Sequence, residues 1–402
     1  MDHPRTVSVK SDLGPGRVLA AIMNGEANTR SGLEQLTGLS RPTIANRLQL
    51  LGDAGLILES SERLSSGGRP ANVVHFNDRA ALLLCVDIGE ERTRVAVTDL
   101  RAAVLIERVI DLRVDEGPLA VLAQIEAVSR ELLAAEDLQG IRLGGIGVGL
   151  PAPVDFATGR TVGWSVMAGW DGFGVRDFLV DAFDVPVFVD NDVNLLLLAE
   201  HRLYWPEESH LLYVKAGTGI GSGLVVGGRI NRGSLGAAGD IGHAHVSGYG
   251  DPLCRCGNRG CLEALAGGWA LARDLQSVRG TGSSAIRGAR DVVDLIRRGD
   301  SDAVTRVRDA GRILGEAVAF ATSLLNPAVI VIGGMLAESG DQLMAGVREL
   351  IYQRSLPLAT KDLKVTLSQV DEEAGVIGAA FLVADSILAP EAIDAQLLAA
   401  RL

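Results

Sequence analysis

The chain has 402 residues, of which 47% are hydrophobic, so it can bury a large core and is long enough for two or three domains. No apolar run reaches the length of a membrane span, and the first twenty residues contain no apolar stretch typical of a signal peptide. We therefore expect a cytoplasmic protein with no membrane partner. The formal net charge of -12 argues against indiscriminate coating of nucleic acid.

The charge is distributed unevenly along the chain. Residues 1–78 carry eight Lys and Arg residues and eight Asp and Glu residues, so this segment is neutral. The whole negative excess therefore lies in the remainder of the chain. This difference predicts that residues 1–78 form a domain of their own.

Three short helices are predicted in this first domain, at residues 16–23, 31–36 and 41–51. A tight turn at residues 38–40 separates the second helix from the third. Ser40 is a favourable N-cap, and the proline that follows two positions later is tolerated in a first helical turn.

The third predicted helix has an apolar and a polar face. Ile44, Leu48 and Leu51 repeat at helical spacing and should point to the core. Two short strands, at residues 55–58 and 72–76, are expected to follow and to form a wing. The order is that of a winged helix-turn-helix, which reads DNA bases with its last helix and contacts phosphates with its wing. The side chains predicted to contact DNA are Arg41, Thr43, Asn46, Arg47 and Arg69.

A three-helix unit can also serve as a protein-interaction module, and the neutrality of residues 1–78 fits that alternative. The polar helix face, the wing and the Gly-Gly-Arg-Pro sequence at residues 67–70 together favour DNA binding.

From residue 79 onward, strand patterns alternate with helices, which indicates an α/β fold with mixed sheets. Two strand, glycine turn, strand units, at residues 82–100 and 211–230, suggest an internal duplication. We expect two lobes, at residues 79–200 and 201–402, with C-terminal helices that are free to return to the first lobe. A cleft between two such lobes is where a small ligand usually binds.

A compact cluster of one histidine and three cysteines lies in the second lobe. Four such ligands hold Zn²⁺ tetrahedrally and leave no open position for water, so the zinc would be structural. Three clustered cysteines suit a metal better than disulfides, and the fourth, Cys85, lies in an apolar strand. His245 is an alternative to the histidine ligand. The predicted ligands are His243, Cys254, Cys256 and Cys261.

Several motifs in sequential order resemble the ROK family of repressors, open reading frames and sugar kinases. The resemblance implies a winged helix-turn-helix followed by a two-lobed actin-like, ribonuclease-H-like ATPase fold, the ROK sugar kinase fold. The matching segments are Asp87-Ile-Gly89, residues 147–155, 189–194, 217–221 and 236–243, the cysteine cluster as far as Glu263, and residues 331–334.

The resemblance also implies a sugar site. In the family an Asn-Asp pair lies in the sugar cleft, and its aspartate, here Asp192, is the general base of the kinases. Carboxylates, amides and imidazoles suit the recognition of vicinal hydroxyls. The aspartate at position 240 replaces the usual glutamate and shortens its reach by one methylene. The residues implied to bind sugar are Asn191, Asp192, Asp240, His243 and Glu263.

The nucleotide side departs from the family pattern. Where the kinases carry Asp-X-Gly-Gly-Thr-Lys, this chain places Glu90 and Glu91 after Gly89. Two carboxylates near a polyphosphate repel it by about 1 kcal/mol or more even in water, so ATP is not expected to bind well. The second glycine turn is intact. The vestigial nucleotide residues are Asp87, Gly89, Gly217, Thr218, Gly219 and Gly334.

These expectations combine into a sugar-responsive transcriptional regulator, a repressor that releases its operator DNA when a sugar or sugar derivative fills the cleft. Family-typical effectors are glucose, N-acetylglucosamine and xylose. We expect a homodimer or homotetramer, and the helix at residues 303–325 is either its interface or a core helix. An ATP-dependent sugar kinase with a regulatory N-terminal domain is the alternative, in which Asp192 would be catalytic. A sugar-sensing scaffold that binds proteins is a third.

Overall fold

A computed structural model describes residues 13–64, 71–90, 92–163, 167, 169–280 and 285–399. Arg69 and Glu91, to which the sequence assigned roles, lie outside these ranges. Within the described part of the chain, no single helix is long and apolar enough to span a membrane; only the last two helices, taken together across a 59° bend, pass that test.

The N-terminal unit has three helices and an antiparallel hairpin, as predicted. The first strand begins two residues later than expected, because Gly55 adopts a left-handed φ of 71° after the third helix. The elements are α1 (Pro15–Met23), α2 (Arg30–Thr37), α3 (Arg41–Asp53), β1 (Ile57–Leu64) and β2 (Ala71–Phe76).

Helix α3 has the cap and the buried face that its sequence predicts. The Ser40 hydroxyl accepts the backbone N–H of Thr43 at 3.4 Å. Ile44, Leu48 and Leu51 are buried among the residues of α1 and the hairpin. Burial of these three side chains holds the opposite, polar face of α3 outward.

The first lobe is built on a five-stranded sheet in the order β5-β4-β3-β6-β9. Its first three strands are antiparallel, and β3 then pairs in parallel with β6, and β6 with β9. The elements are β3 (Leu82–Ile88), β4 (Thr93–Thr98), β5 (Val104–Ile110), α4 (Pro118–Leu133), β6 (Leu143–Leu150), the hairpin of β7 (Val154–Asp155) and β8 (Arg160–Thr161), α5 (Val175–Phe183), β9 (Val187–Asn191) and α6 (Asp192–Tyr204).

The second lobe repeats this arrangement, which confirms the predicted duplication. Its sheet has the order β12-β11-β10-β13-β14, with three antiparallel strands followed by two parallel ones. The elements are β10 (His210–Ala216), β11 (Ile220–Val226), β12 (Arg229–Ile230), α7 (Leu262–Ala266), α8 (Gly268–Arg279), α9 (Ala289–Arg297), α10 (Ser301–Leu325), β13 (Val329–Gly333), α11 (Asp341–Arg354), α12 (Pro357–Thr360), β14 (Lys364–Leu367), α13 (Ala374–Ile387) and α14 (Pro390–Ala399).

Two features blur a division of the chain at residue 200. Helix α6 runs through that position, so it belongs to neither side alone. Helix α13 returns to the first lobe, where it packs on β3, β6 and α6. The C-terminal segment is therefore part of the first lobe in space, although it is last in sequence.

Helix α14 carries the chain back to the N-terminal unit and packs against α1. Ile393 and Leu397 are buried in the same apolar cluster as Val18 and Leu19. The Asp394 carboxylate accepts the backbone N–H of Gly16 at 2.7 Å. The N-terminal unit is thus attached to the first lobe by packing as well as by the chain.

Candidate functional site

The cleft between the two sheets brings together all five residues that the sequence predicted for a sugar. Asn191 and Asp192 reach it from the first lobe, at the junction of β9 and α6. Asp240, His243 and Glu263 reach it from the second lobe. The carboxylates, amide and imidazole therefore face one common space, although they are spread over more than seventy residues of sequence.

The Asn-Asp pair is fixed by the start of α6. The Asn191 side chain caps the helix by accepting the N–H of Val193 at 3.0 Å, and it donates to the carbonyl of Ala152 at 3.0 Å. The buried Asp190 accepts the Asn194 amide at 2.7 Å and Arg232 at 2.7 Å. These bonds hold the strand-to-helix junction rigid, so Asp192 enters the cleft at a defined position.

Asp192 has a partner that the sequence reasoning missed. The Lys215 ammonium donates a hydrogen bond to Asp192 Oδ2, and the aspartate side chain is only 8% exposed. Burial acts to lower the pKa of Lys215, but Asp192 and Asp87 outweigh that effect and raise it above the ordinary value. Lys215 is therefore charged at neutral pH. The sequence offered one indication of this role, because Lys215 is the one charged residue at the end of the apolar strand β10.

Asp87 lies near the end of β3, and Gly89 follows it in the first glycine turn, which joins β3 to β4. Burial, together with repulsion by Asp192, raises the pKa of Asp87 to about 6, and Lys215 and Arg94 oppose this rise.

The second glycine turn, Gly217, Thr218 and Gly219, joins β10 to β11 at the equivalent place in the second lobe. The Gly217 N–H bonds to the Gly219 carbonyl at 2.9 Å, and the Thr218 carbonyl accepts the Trp269 N–H at 3.1 Å. Gly334 has a φ of 86° and lies against Ala216 at the end of β10. These glycines shape the chain where β10 and β13 end.

Glu90 is not a free negative charge, contrary to the expectation from sequence. The Arg255 guanidinium, from the cysteine loop of the second lobe, donates to Glu90 at 3.1 Å and to Glu263 at 3.1 Å. Because the two carboxylates flank one cation, the electrostatic repulsion of a polyphosphate by Glu90 is weaker than predicted. Glu90 instead forms an ion pair with Arg255 that spans the cleft.

Glu263 is bound on both carboxylate oxygens by protein groups. Its Oε2 accepts the backbone N–H of Ile220 at 3.1 Å, and its Oε1 accepts the Trp269 indole N–H at 2.9 Å and the Arg255 guanidinium. Arg255 also lies over the Trp269 ring, 5.3 Å from its centroid. Glu263 therefore holds the wall of the cleft together, and its side chain is only 8% exposed.

The histidine and the three cysteines converge as predicted, with their ligand atoms within 4.8 Å of one another. Cys254 Sγ lies 3.7 Å from His243 Nδ1, and Cys256 Sγ lies 3.7 Å from Cys261 Sγ. A tetrahedral Zn²⁺ with bonds of about 2.3 Å to sulfur sets its ligand atoms about 3.8 Å apart, so the separations fit. His245 does not compete, because it faces Asp251 at 3.7 Å.

The protonation state of Cys261 depends on whether a cation is bound. Burial and the neighbouring sulfurs raise the pKa of Cys261 to about 12, so a cation is needed to hold the thiolate at neutral pH. The cluster is joined to the cleft by two backbone bonds, from Leu262 to Ala244 at 2.9 Å and from Glu263 to Gly242 at 2.8 Å. A metal-binding cluster and the cleft wall therefore form one local structure.

The predicted DNA-contacting residues of α3 differ in their surroundings. Arg41 and Asn46 are exposed, and Arg47 is partly buried. Neither arginine forms an ion pair with any described residue. The Thr43 hydroxyl is half-buried and bonds to Ser40 at 2.8 Å at the helix cap. DNA contact by these four side chains stays a prediction.

Comparison with known proteins agrees with this architecture. The profile of the ROK family matches residues 83–386, about three quarters of the chain. The chain belongs to the ROK family. The match covers both sheets, the cleft and the cysteine cluster, and it begins after the winged unit.

Relatives of this ROK protein include both regulators and kinases. A putative xylose repressor of Caldicellulosiruptor sp. is 27% identical over 92% of this chain and 95% of its own. A crystal structure of a ROK family transcriptional regulator, a homologue of the E. coli MLC protein, has a TM-score of 0.80 and 28% identity over 96% of this chain and 98% of its own. A Streptomyces griseus glucokinase in complex with glucose and AMPPNP has a TM-score of 0.63 and 26% identity, and it covers 75% of this chain and 99% of its own.

The share of the chain that each relative covers is informative. The regulators match nearly the whole chain, whereas the glucokinase matches a part about the size of the two lobes. The N-terminal unit therefore aligns this ROK protein with the regulators of the family.

Proposed function

We propose that this ROK protein is a sugar-responsive transcriptional repressor, which binds operator DNA through its N-terminal unit and releases it when a sugar fills the cleft. The observation that carries the proposal is the presence of a polar, sugar-type cleft and a winged helix-turn-helix in one chain, joined by α13 and α14. The full-length likeness to a putative xylose repressor and to a ROK transcriptional regulator supports it. Such a repressor would act in the cytoplasm.

The chemistry of the cleft supports a sugar as the effector. Asn191, Asp192 and Asp240 line one cavity and carry the amide and carboxylate groups that suit recognition of hydroxyls, and the glucokinase relative holds glucose. Asp240 is exposed and makes no hydrogen bond to any other described residue, so it is free to accept one from a ligand. The proposed sugar-contacting residues are therefore these three and His243, with Glu263 as the support of the wall.

The path from the cleft to the DNA-binding unit follows packed helices. Asp192 begins α6, and α6 packs along α13. The start of α13 lies directly under Asp87, where a Cβ on Gly375 would come within 2.1 Å of the carboxylate. Helix α14 then packs on α1. A change in the angle between the lobes can therefore shift the recognition helices of a dimer and alter how they fit two half-sites.

The function is tested with genomic DNA fragments and the full-length, metal-loaded protein. We expect the protein to retain specific fragments without sugar and to release them with one member of a panel of hexoses, pentoses and their amino derivatives. Retention of no fragment at any sugar concentration would favour the scaffold alternative. Tighter binding with sugar would indicate an activator or co-repressor mode.

The replacement Asp240→Asn should weaken the response to that sugar without changing DNA binding in its absence. The reason is that Asp240 is exposed in the cleft and its charge strengthens hydrogen bonds to hydroxyls by about 1 kcal/mol or more, which is about five-fold or more in affinity. Isothermal titration with the sugar measures the change. Asp181→Asn is the matched control, because Asp181 is an exposed acidic residue on α5, outside the cleft.

We further propose that the metal of the His243 and cysteine cluster is Zn²⁺. Three thiolates and one imidazole are a preferred ligand set of zinc and leave no open coordination position, so the metal would have a structural role. When bound, it supplies charge neutralisation and a fixed loop. The residues of the loop themselves, Arg255 and Glu263 above all, then present the cleft wall.

We propose that α10 also pairs two copies of the chain. Its inward face is buried, which places it in the core, but Phe320 and Leu324 are each 73% exposed one helical turn apart. Two large apolar side chains on one exposed stripe are typical of an interface between proteins. Both roles that the sequence left open for this helix are therefore compatible with its two faces.

The double replacement of Phe320 and Leu324 by Asp and Lys should convert the oligomer to monomers. Burial of two such side chains per copy contributes about 3–6 kcal/mol to association, and charges there reverse that gain. Sedimentation velocity measures the change. Val278→Asp is a matched control, because Val278 is an exposed apolar residue on another helix. An unchanged sedimentation coefficient for the double variant would place the interface elsewhere.

A further inference from the structure

Lys215 lies at the centre of an acidic group on the cleft floor. It is the next-to-last residue of β10, and its ammonium bonds directly to Asp192 Oδ2. Asp87 and Glu90, from the turn of the opposite lobe, add their negative charge to that of Asp192 around the same ammonium. The lysine is thus a cation supplied by the chain, placed among three carboxylates.

The three carboxylates differ in their source of positive charge. Glu90 is paired with Arg255, the other cation among the described residues that line the cleft, whose guanidinium bonds to Glu90 and Glu263 and not to Asp192 or Asp87. Arg94 acts on Asp87 from the neighbouring strand, where it is bound to Glu107 at 2.7 Å. Lys215 is therefore the residue that neutralises the negative charge of Asp192.

Phosphoryl transfer from a nucleotide places two demands on such a cleft. Carboxylates must hold a divalent cation that bridges the phosphates, and one carboxylate must be free to accept the proton of the attacking hydroxyl. In this chain Asp192 and Asp87 are the carboxylates placed to do so. A lysine ammonium on Asp192 opposes the first demand, because it repels a divalent cation, and it occupies one of the two carboxylate oxygens that could accept a proton.

We infer that Lys215 is the residue that allows this cleft to bind a sugar but prevents it from phosphorylating the sugar. Its ammonium stands in place of a nucleotide-bound divalent cation and keeps Asp192 as a charged, hydrogen-bonded acceptor for a sugar hydroxyl. This inference rests on the proposed function, in that it takes the cleft to be a sugar-sensing site. Lys215 would thus determine which reaction the site can perform, and it would act on the proposed sugar site through Asp192.

The test compares divalent cation binding by three full-length, zinc-loaded proteins. Mn²⁺ is the probe, because it binds oxygen ligands like Mg²⁺ and its free concentration is measured by electron paramagnetic resonance. The natural chain and Lys215→Arg, which keeps the charge, should bind Mn²⁺ only weakly. Lys215→Met, which keeps the length and removes the charge, should bind it at least about ten-fold more tightly. Adding Asp192→Asn to Lys215→Met should abolish the gain.

Two results would overturn the inference. One is equal Mn²⁺ affinity of the natural chain and Lys215→Met, and the other is a gain that survives in the Asp192→Asn double variant. Zinc content and thermal midpoint verify folding, and Lys215→Gln replaces Lys215→Met if the latter fails to fold. DNA retention by the natural chain is measured separately. If the natural chain retained no DNA but the Mn²⁺ results were as expected, the repressor proposal would be refuted. The role of Lys215 in excluding a divalent cation would still stand.

A kinase assay gives an independent readout of the same inference. ADP formation with ATP, Mg²⁺ and the sugar panel should be at background for the natural chain. Robust turnover by the natural chain, lost in Asp192→Asn, would show that Lys215 does not block the base and would establish the kinase alternative.

Discussion

Replacement of Cys261 by serine is expected to remove the metal from the chain and to lower its sugar affinity by about ten-fold or more, while DNA binding without sugar persists. Cys261 is both a predicted ligand and the N-cap position of α7, the helix that carries Glu263. Loss of one ligand typically costs more than the loss of an outer-shell partner, which already lowers metal affinity by about 10–100-fold. The segment from Gly242 to His245 is then held against α7 by backbone hydrogen bonds alone.

The cause of the lost sugar affinity is local. The wall of the cleft depends on the backbone bonds from residues 262 and 263 to residues 244 and 242, and on the bonds of Glu263 to Ile220 and Trp269. Without the cluster, Arg255 is freed from its place between Cys254 and Cys256. Its ion pair with Glu90 across the cleft should weaken as well.

The measurements are metal content by mass spectrometry, sugar affinity by calorimetry and DNA affinity by fluorescence anisotropy. Cys85→Ala is the matched control, since Cys85 is buried in β3 far from the cluster in sequence and takes no part in it. That control should keep its metal and its sugar affinity, with a stability cost of about 1 kcal/mol. A metal-free Cys261→Ser protein with undiminished sugar affinity would separate the cluster from the cleft.

Features that depend on local spacing could be predicted from the sequence. Three features each lie within about twenty residues of sequence: the cysteine cluster, the cap and buried face of α3, and the two glycine turns. Over such short segments, periodicity and turn chemistry determine the geometry. The duplicated strand pattern also predicted two similar sheets. Their shared strand order follows from the same local signals repeated.

Features that depend on side chains meeting across the cleft could not be predicted. Lys215 and Asp192 are twenty-three positions apart, and Arg255 and Glu90 are 165 apart. Neither pair has a sequence motif, since a lone lysine or arginine is usually a solvated surface residue. Their absence from the sequence reasoning led to an overestimate of the repulsion at Glu90 and to a view of Glu263 as a sugar ligand alone.

The packing of α14 on α1 was equally inaccessible from sequence. The sequence of an amphipathic C-terminal helix shows that its apolar face must be covered, but it does not show which element covers that face. In the structure that partner is the first helix of the chain, almost four hundred residues away. This contact joins the lobe that is proposed to bind sugar to the unit that is proposed to bind DNA.

Replacement of Arg41 and Arg47 by alanine is expected to lower operator affinity by about 1–3 kcal/mol for each arginine, about five-fold or more per residue. Both lie on α3, the proposed recognition helix, and neither forms an ion pair with any described residue, so no carboxylate of those residues neutralises them. Sugar affinity should be unchanged, because α3 lies outside the cleft. Fluorescence anisotropy on a retained fragment measures the loss.

The dependence on salt shows what each arginine contacts. An arginine that binds only phosphate weakens all sequences alike, and its removal reduces the slope of log affinity against log salt by about 1. An arginine that reads a base relaxes specificity at that base pair. Exposed Arg41, at the start of α3, is the better placed of the two to reach a base edge, since the first residues of a recognition helix contact bases.

Arg17→Ala is the matched control for this experiment. Arg17 is exposed on α1, within the same neutral N-terminal unit, but not on the recognition helix. If Arg17→Ala weakened binding as much as Arg41→Ala, the DNA contact would be a general effect of positive charge. If neither variant changed affinity, α3 would not be the recognition helix, and another surface would bind the retained fragment.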